Sequence, residues 1–131
     1  MNDIKATFSQ ALDILGCDPA RYTFTADAPI VMSFGDVGEI LSDASSEPAW
    51  LWGSLPDGPE EALRPFAFEL LQQLSAPVDY LSSGCLGLRV QDQVRHVGGP
   101  LADAYLQQPQ HLAAAIEAFY LRLVLLHDLV R

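Results

Sequence analysis

Apolar residues recur at helical spacing at the start of the chain: Ile4, Phe8, Ala11, Leu12 and Leu15 form one stripe, with Lys5, Gln10 and Asp13 off it. The pattern predicts an amphipathic helix over Asp3 to Leu15. Gly16 suits the left-handed residue that closes a helix, and Asp18-Pro19 just beyond cannot continue one. After a polar linker from Arg21 to Asp27 the period changes to two. Ile30, Met32 and Phe34 share one face of a predicted strand, Gly35-Asp36 reads as a turn, and Gly38 to Asp43 is a weaker, more polar strand. Ser45-Ser46-Glu47-Pro48 is a loop ahead of a third strand, Ala49 to Leu55. Three consecutive short strands predict an antiparallel meander.

A second helical region follows, with Asp57 as candidate cap and Leu63, Phe66, Ala67, Leu70, Leu71 and Leu74 on the helical period. Pro65 cannot sit in a helix interior, so the regular helix is expected to begin near Arg64 with the proline in its first turn. Val78 to Leu81, Gly84 to Val90 and Val94 to Val97 alternate as strands, and Gly98-Gly99-Pro100 is expected to end them. A short helical turn is expected within Leu101 to Leu106. The last helix, about Pro109 to Val130, carries one stripe of Leu112, Ile116, Phe119, Tyr120, Leu123 and Leu126 and a second of Leu121, Val124 and Leu125, which predicts burial on two sides.

The sum is one α+β domain over residues 1–131: a mainly antiparallel sheet of five to six strands with three helices, in the order helix, three strands, helix, two to three strands, helix. Half of the 131 residues are hydrophobic and 18% are charged, ample for a packed core. That apolar fraction is at the upper edge for a soluble domain, so part of it is expected to meet a partner.

Charge narrows the partner. Seventeen acidic residues against seven basic ones give a net charge of -10, Lys5 is the only lysine, and the arginines are scattered. Nucleic-acid binding needs clustered Lys and Arg, so it is not expected, and anionic membranes are repelled. The N-terminus lacks a signal-peptide pattern and no apolar run reaches membrane-spanning length, which predicts a cytoplasmic protein with no membrane insertion. Cys17 and Cys85 read as packing residues.

Reactive groups do not converge. No glycine-rich phosphate loop is present, and His96, His111 and His127 lack partners at metal-ligand spacing, so neither a metal nor a cofactor is expected. Asp13, Asp18 and Glu60 fall on a polar helix face or at caps, and Ser82-Ser83-Gly84-Cys85 lacks the glycine pattern of a nucleophile turn. The chain is therefore not expected to be an enzyme.

Gly16-Cys17-Asp18-Pro19, the Trp50-x-Trp52 strand ending at Leu55, and the Phe119-Tyr120 pair in a long apolar last helix together resemble the invasion protein B family of type III secretion chaperones. The resemblance runs over nearly the whole chain in length, element order and acidity. It implies a homodimer in the bacterial cytoplasm that binds the N-terminal region of one or more secreted effectors and keeps them export-competent without ATP. Leu63, Phe66, Leu70, Val78 and Tyr80 resemble the region through which family members pair. For cargo, face counting puts Trp50 and Trp52 on one side of their strand and Ile30, Met32 and Phe34 on one side of theirs; aromatic pairs usually pack inside, so Phe34, Ile40 and Leu41, nearer turns and in the weakest strand, are the stronger candidates. The competing reading is a non-catalytic adaptor or immunity-type protein with a folded partner. A small-ligand enzyme on a similar sheet would require a cluster of polar groups that the sequence does not contain.

Overall fold

A computed structural model describes residues 4–16, 22–23, 30–43, 49–56 and 60–130. The predicted turn over Cys17 to Pro19, the Ser45 to Pro48 loop and the Asp57 cap lie outside the described residues. The elements in chain order are helix α1 (Ile4–Ile14), strands β1 (Tyr22–Thr23), β2 (Ile30–Phe34), β3 (Gly38–Asp43) and β4 (Trp50–Ser54), helices α2 (Glu60–Leu63) and α3 (Ala67–Ser75), strands β5 (Gly87–Gln91) and β6 (Val94–Pro100), and helix α4 (Pro109–Leu129). The class is α+β, as the periodicity predicts. Six antiparallel strands form one sheet in the order β1-β2-β3-β4-β6-β5.

The meander β2-β3-β4 has the expected form, with Met32 opposite Ile40 and Leu41 opposite Trp52. Strand β1 lies within the stretch expected to be a linker; its two residues pair with Val31 and Met32. Gly16 has a φ of +74°, the left-handed helix end that its position predicts. Pro65 divides the second helical region more sharply than expected: Arg64–Phe66 forms a 3-10 turn, and Phe66 at φ -111°, ψ 8° leaves the helical basin before α3 begins. A proline lacks the N–H that would link those turns.

Two strand expectations require correction. Val78 to Leu81 is not a strand. Val78 N–H bonds Gly84 O across a local loop, and only Leu81 pairs, with Leu101. Gly98-Gly99-Pro100, expected to end a strand, continues β6 alongside β4, opposite Trp52, Leu51 and Trp50. The absence of side chains at these glycines lets the two backbones approach.

The core lies on one face of the sheet. Phe8, Ala11 and Leu12 of α1 and Leu112, Ile116, Phe119, Leu123 and Leu126 of α4 pack with Ile30, Met32, Ile40, Leu51 and Val97 in one continuous buried cluster. Each of the larger side chains contributes about 1.5–3 kcal/mol on burial. Leu123 stands within 2.5 Å of where a Cβ on Gly53 would be, so α4 lies directly on β4. His127 anchors the end of α4 by donating from Nε2 to Ser54 O at 2.8 Å. The second apolar stripe of α4 is buried only in part: Val124 packs against the core, but Leu121 is 56% and Leu125 45% exposed, because the described helices cover a single face of this sheet and nothing described packs outside α4.

The β5–β6 turn holds a local strain. Asp92 (φ +52°) and Gln93 (φ +66°) both occupy the left-handed region, the geometry of a two-residue type I′ hairpin that favours Asn-Gly. Replacing Gln93 with Gly is expected to raise the urea unfolding midpoint, equivalent to about 1 kcal/mol, since a non-glycine residue pays that penalty in the left-handed region.

Candidate functional site

Three apolar surfaces remain outside the core. The first is the helix-free face of the sheet. Strand alternation turns Leu51 inward and Trp50 and Trp52 outward, and cross-strand register aligns Val31, Leu41, Trp52 and Gly98 in one row with Trp50 and Pro100 beside it. The two indoles stack with centroids 5.0 Å apart and 12° between planes. Arg89, reaching from β5, lies over Trp52 with its guanidinium carbon 3.9 Å from the ring centroid, a contact of about 0.5–1 kcal/mol at an exposed site. Val31, Leu41, Trp50 and Trp52 are half-buried. Ser54, His96 and Arg89 form the next row. Partial burial holds the His96 imidazole below the usual range, the Arg89 cation pushes it lower, and Asp92 partly offsets both.

The second surface is a groove of about 300 Å³ between α2, α3 and the edge strand β5, lined by Leu63, Arg64, Ala67, Leu70, Leu71, Leu74 and Leu88. Leu88 pairs with the fully buried Val97, so it points to the helix-covered side, yet β5 is the last strand and the described helices cover it incompletely. Phe68, Leu71, Leu88 and Val90 are consequently 69%, 64%, 49% and 66% exposed. Four large apolar side chains at that exposure on adjoining elements are unusual for a free surface.

The third is a groove of about 230 Å³ where α1, the end of β2 and α4 meet, lined by Leu15, Phe34, Ile116, Glu117 and Tyr120. The Phe34 and Tyr120 rings lie 5.0 Å apart, and the Tyr120 hydroxyl donates to Asp36 in the β2–β3 turn. That hydrogen bond, with a smaller part from desolvation and the Asp36 charge, holds the Tyr120 phenol above its ordinary range.

The expected contact residues separate among these surfaces. Leu41, Trp50 and Trp52 lie together on the helix-free face, and Phe34 lines the third groove. Ile30, Met32 and Ile40 are instead core: each is at most 1% exposed, because their faces of β2 and β3 are the faces that α1 and α4 cover, so a partner cannot touch them while this fold persists. Of the expected pairing residues, Leu63 and Leu70 line the second groove and Phe66 is half-buried in the adjoining 3-10 turn. Val78 and Tyr80 are buried within the chain, Tyr80 edge-on to Phe119 at 6.4 Å, because the loop from Ala76 to Leu86 folds inward where a strand was expected. Sequence reasoning missed Phe68, Leu88 and Val90. The wide apolar arc of α3, with Phe68 beside Leu71, was the signal available for Phe68.

Burial pushes the Tyr80 phenol up to about 12, with Arg122 partly opposing, and its hydroxyl has no hydrogen-bond partner among the described residues. The unfolded phenol titrates near 10, so below that pH folded and unfolded states are both protonated and the fold is unpenalised. Between 10 and 12 only the unfolded chain gains by ionising. Stability is therefore expected to fall as pH rises from 10 to 12, and Tyr80→Phe is expected to reduce that fall without loss at neutral pH, since it removes an unpaired hydroxyl. Urea titrations of both proteins across this range check it.

Among the described residues no cluster of His, Cys, Asp or Glu could hold a metal ion, and no helix is long and apolar enough to cross a membrane. What the three surfaces can do is bind apolar side chains and, at a sheet edge, backbone. A comparison with curated proteins finds no match. The family model of the invasion protein B family matches residues 16–92, which spans β1 to β5 and includes Trp50, Trp52 and the second groove. With more than half of its length matched, this chain belongs to the invasion protein B family.

Proposed function

We propose that this protein is a type III secretion chaperone that binds the N-terminal region of one or more secreted effectors in the bacterial cytoplasm and keeps them export-competent without ATP. Family membership supports the chaperone role and a non-enzymatic character. The observation that carries the effector reading is the helix-free sheet face, where Val31, Leu41, Trp50 and Trp52 present aliphatic and stacked aromatic surface to solvent. An extended cargo segment lying across it would bury those side chains and keep its own backbone from collapsing. Homodimerisation belongs to the second groove: two copies pairing through Leu63, Leu71 and Leu88 would cover the Phe68 and Val90 surface on each.

The test is capture of secreted proteins by the tagged full chain in a type III-secreting host, followed by protease footprinting. The expected result is a bound secreted protein whose N-terminal region alone is protected, with retention independent of ATP. Trp52→Asp is expected to lower retention about tenfold or more with far-UV circular dichroism unchanged, as a charge is placed where an apolar anchor seats. Binding of a folded protein with no protected N-terminal segment would instead favour an adaptor or immunity-type role.

A further inference from the structure

The groove between α1, β2 and α4 differs from the other two surfaces in its charge. Leu15, Phe34, Ile116 and Tyr120 give it apolar walls, and Glu117 is the one charged lining residue among those described. On the same rim the Tyr120 hydroxyl holds the Asp36 carboxylate. Among the described residues no lysine or arginine lines it. Two described arginines are engaged elsewhere: Arg122 donates to the Gln73 backbone and side-chain oxygens at 3.2 and 3.1 Å, and Arg89 stacks on Trp52. The volume, about 230 Å³, admits a branched aliphatic side chain, since cavities of roughly 150 Å³ hold a benzene ring.

We propose that this groove selects cargo: it takes one leucine- or isoleucine-sized side chain of the bound segment, and Glu117 favours a lysine or arginine immediately beside that anchor. The inference rests on the chaperone reading for the source of the segment, but the selectivity is a property of the groove. An anchor flanked by acids would meet Glu117, Asp36 and a net charge of -10, and would be repelled both on approach and when seated. Tyr120 positions the site, closing one wall through its contact with Phe34 and carrying Asp36 to the rim.

The probes are two capped heptapeptides, Gly-Ser-Lys-Leu-Lys-Ser-Gly and its counterpart with glutamates for lysines, titrated into the nitrogen-15-labelled full chain. The expected result is a set of NMR shift changes centred on Leu15, Phe34, Glu117 and Tyr120 for the lysine peptide, weakened by half-molar salt, and none there for the glutamate peptide. Glu117→Gln, a change on an exposed helix position, is expected to weaken the lysine peptide about threefold, the scale of one exposed ion pair. Equal binding of both peptides, no effect of Glu117→Gln, or shifts centred on Trp52 or Leu71 instead would overturn the proposal. Capturing a secreted protein that Glu117→Lys retains undiminished would also overturn it while leaving the chaperone role standing. Peptide selectivity without any captured secreted protein would support the groove and remove the chaperone role.

Discussion

Gly98→Ala is expected to prevent folding. Gly98 stands in β6 opposite Trp52 with φ +159°, and a Cβ built there falls 1.8 Å from the Leu51 carbonyl oxygen, 2.8 Å from the Leu51 carbonyl carbon and 3.0 Å from the Trp52 Cα. All three atoms are backbone of the central strand β4, so relief requires moving a strand that pairs on both sides and underlies α4. The pairing at risk joins the meander to the β5–β6 hairpin and is extended beyond both strand ends by Leu55 N–H to Arg95 O and Leu101 N–H to Ala49 O. A cost of about 4 kcal/mol or more is of the order of the whole stability of a small domain. Gly99→Ala supplies the control. Its Cβ would meet the side-chain atoms Leu81 Cδ1 and Ser83 Oγ at 3.2 Å, which can turn aside, and a loss of about 1–2 kcal/mol is expected there. Far-UV circular dichroism and urea unfolding of the two variants separate these outcomes; a folded, cooperative Gly98→Ala protein would show that β4 and β6 do not approach so closely.

The second large effect concerns assembly. The double variant Leu71→Asp with Leu88→Asp is expected to convert a micromolar dimer into a monomer, with a dissociation constant raised at least about a hundredfold. Both side chains line the groove over α3 and β5 and are exposed in the single chain, so the substitutions should leave the fold intact. In a two-fold dimer each change occurs twice, and desolvating four carboxylates in an apolar contact costs far more than the tenfold worth of 1.4 kcal/mol. Sedimentation velocity at matched concentrations reads the result. A parent protein that sediments as a monomer, or a double variant that remains dimeric, would remove this groove as the pairing surface.

Much of the fold was legible because it follows from short-range rules. The stripe of Phe8, Ala11 and Leu12 made α1, the alternation of Ile30, Met32 and Phe34 made β2, and Gly16 closed the first helix with a positive φ. The resemblance carried by the Gly16 turn, Trp50-x-Trp52 and Phe119-Tyr120 led to the family that the match over residues 16–92 supports. The candidate surfaces were legible only in part. Face counting paired Trp50 with Trp52 correctly in space, but it does not tell which face of a strand helices will cover, and so Ile30, Met32 and Ile40 were grouped with surface residues when they are core. The second stripe of α4 failed similarly: periodicity showed that Leu121 and Leu125 are apolar and could not show that nothing described packs against them.

Taken by itself, then, the sequence determined the α+β class, the first and last helices, the β2-β3-β4 meander and the net acidity, since each depends on neighbours within a few residues or on composition alone. The tertiary structure decided the position of β6 between β4 and β5, the inward fold of Val78 and Tyr80, and the meeting of Leu15, Phe34 and Tyr120 in one groove. Those depend on residues tens of positions apart reaching the same place, and on backbone approaches such as Gly98 to Leu51 that two-residue and four-residue periodicities do not encode.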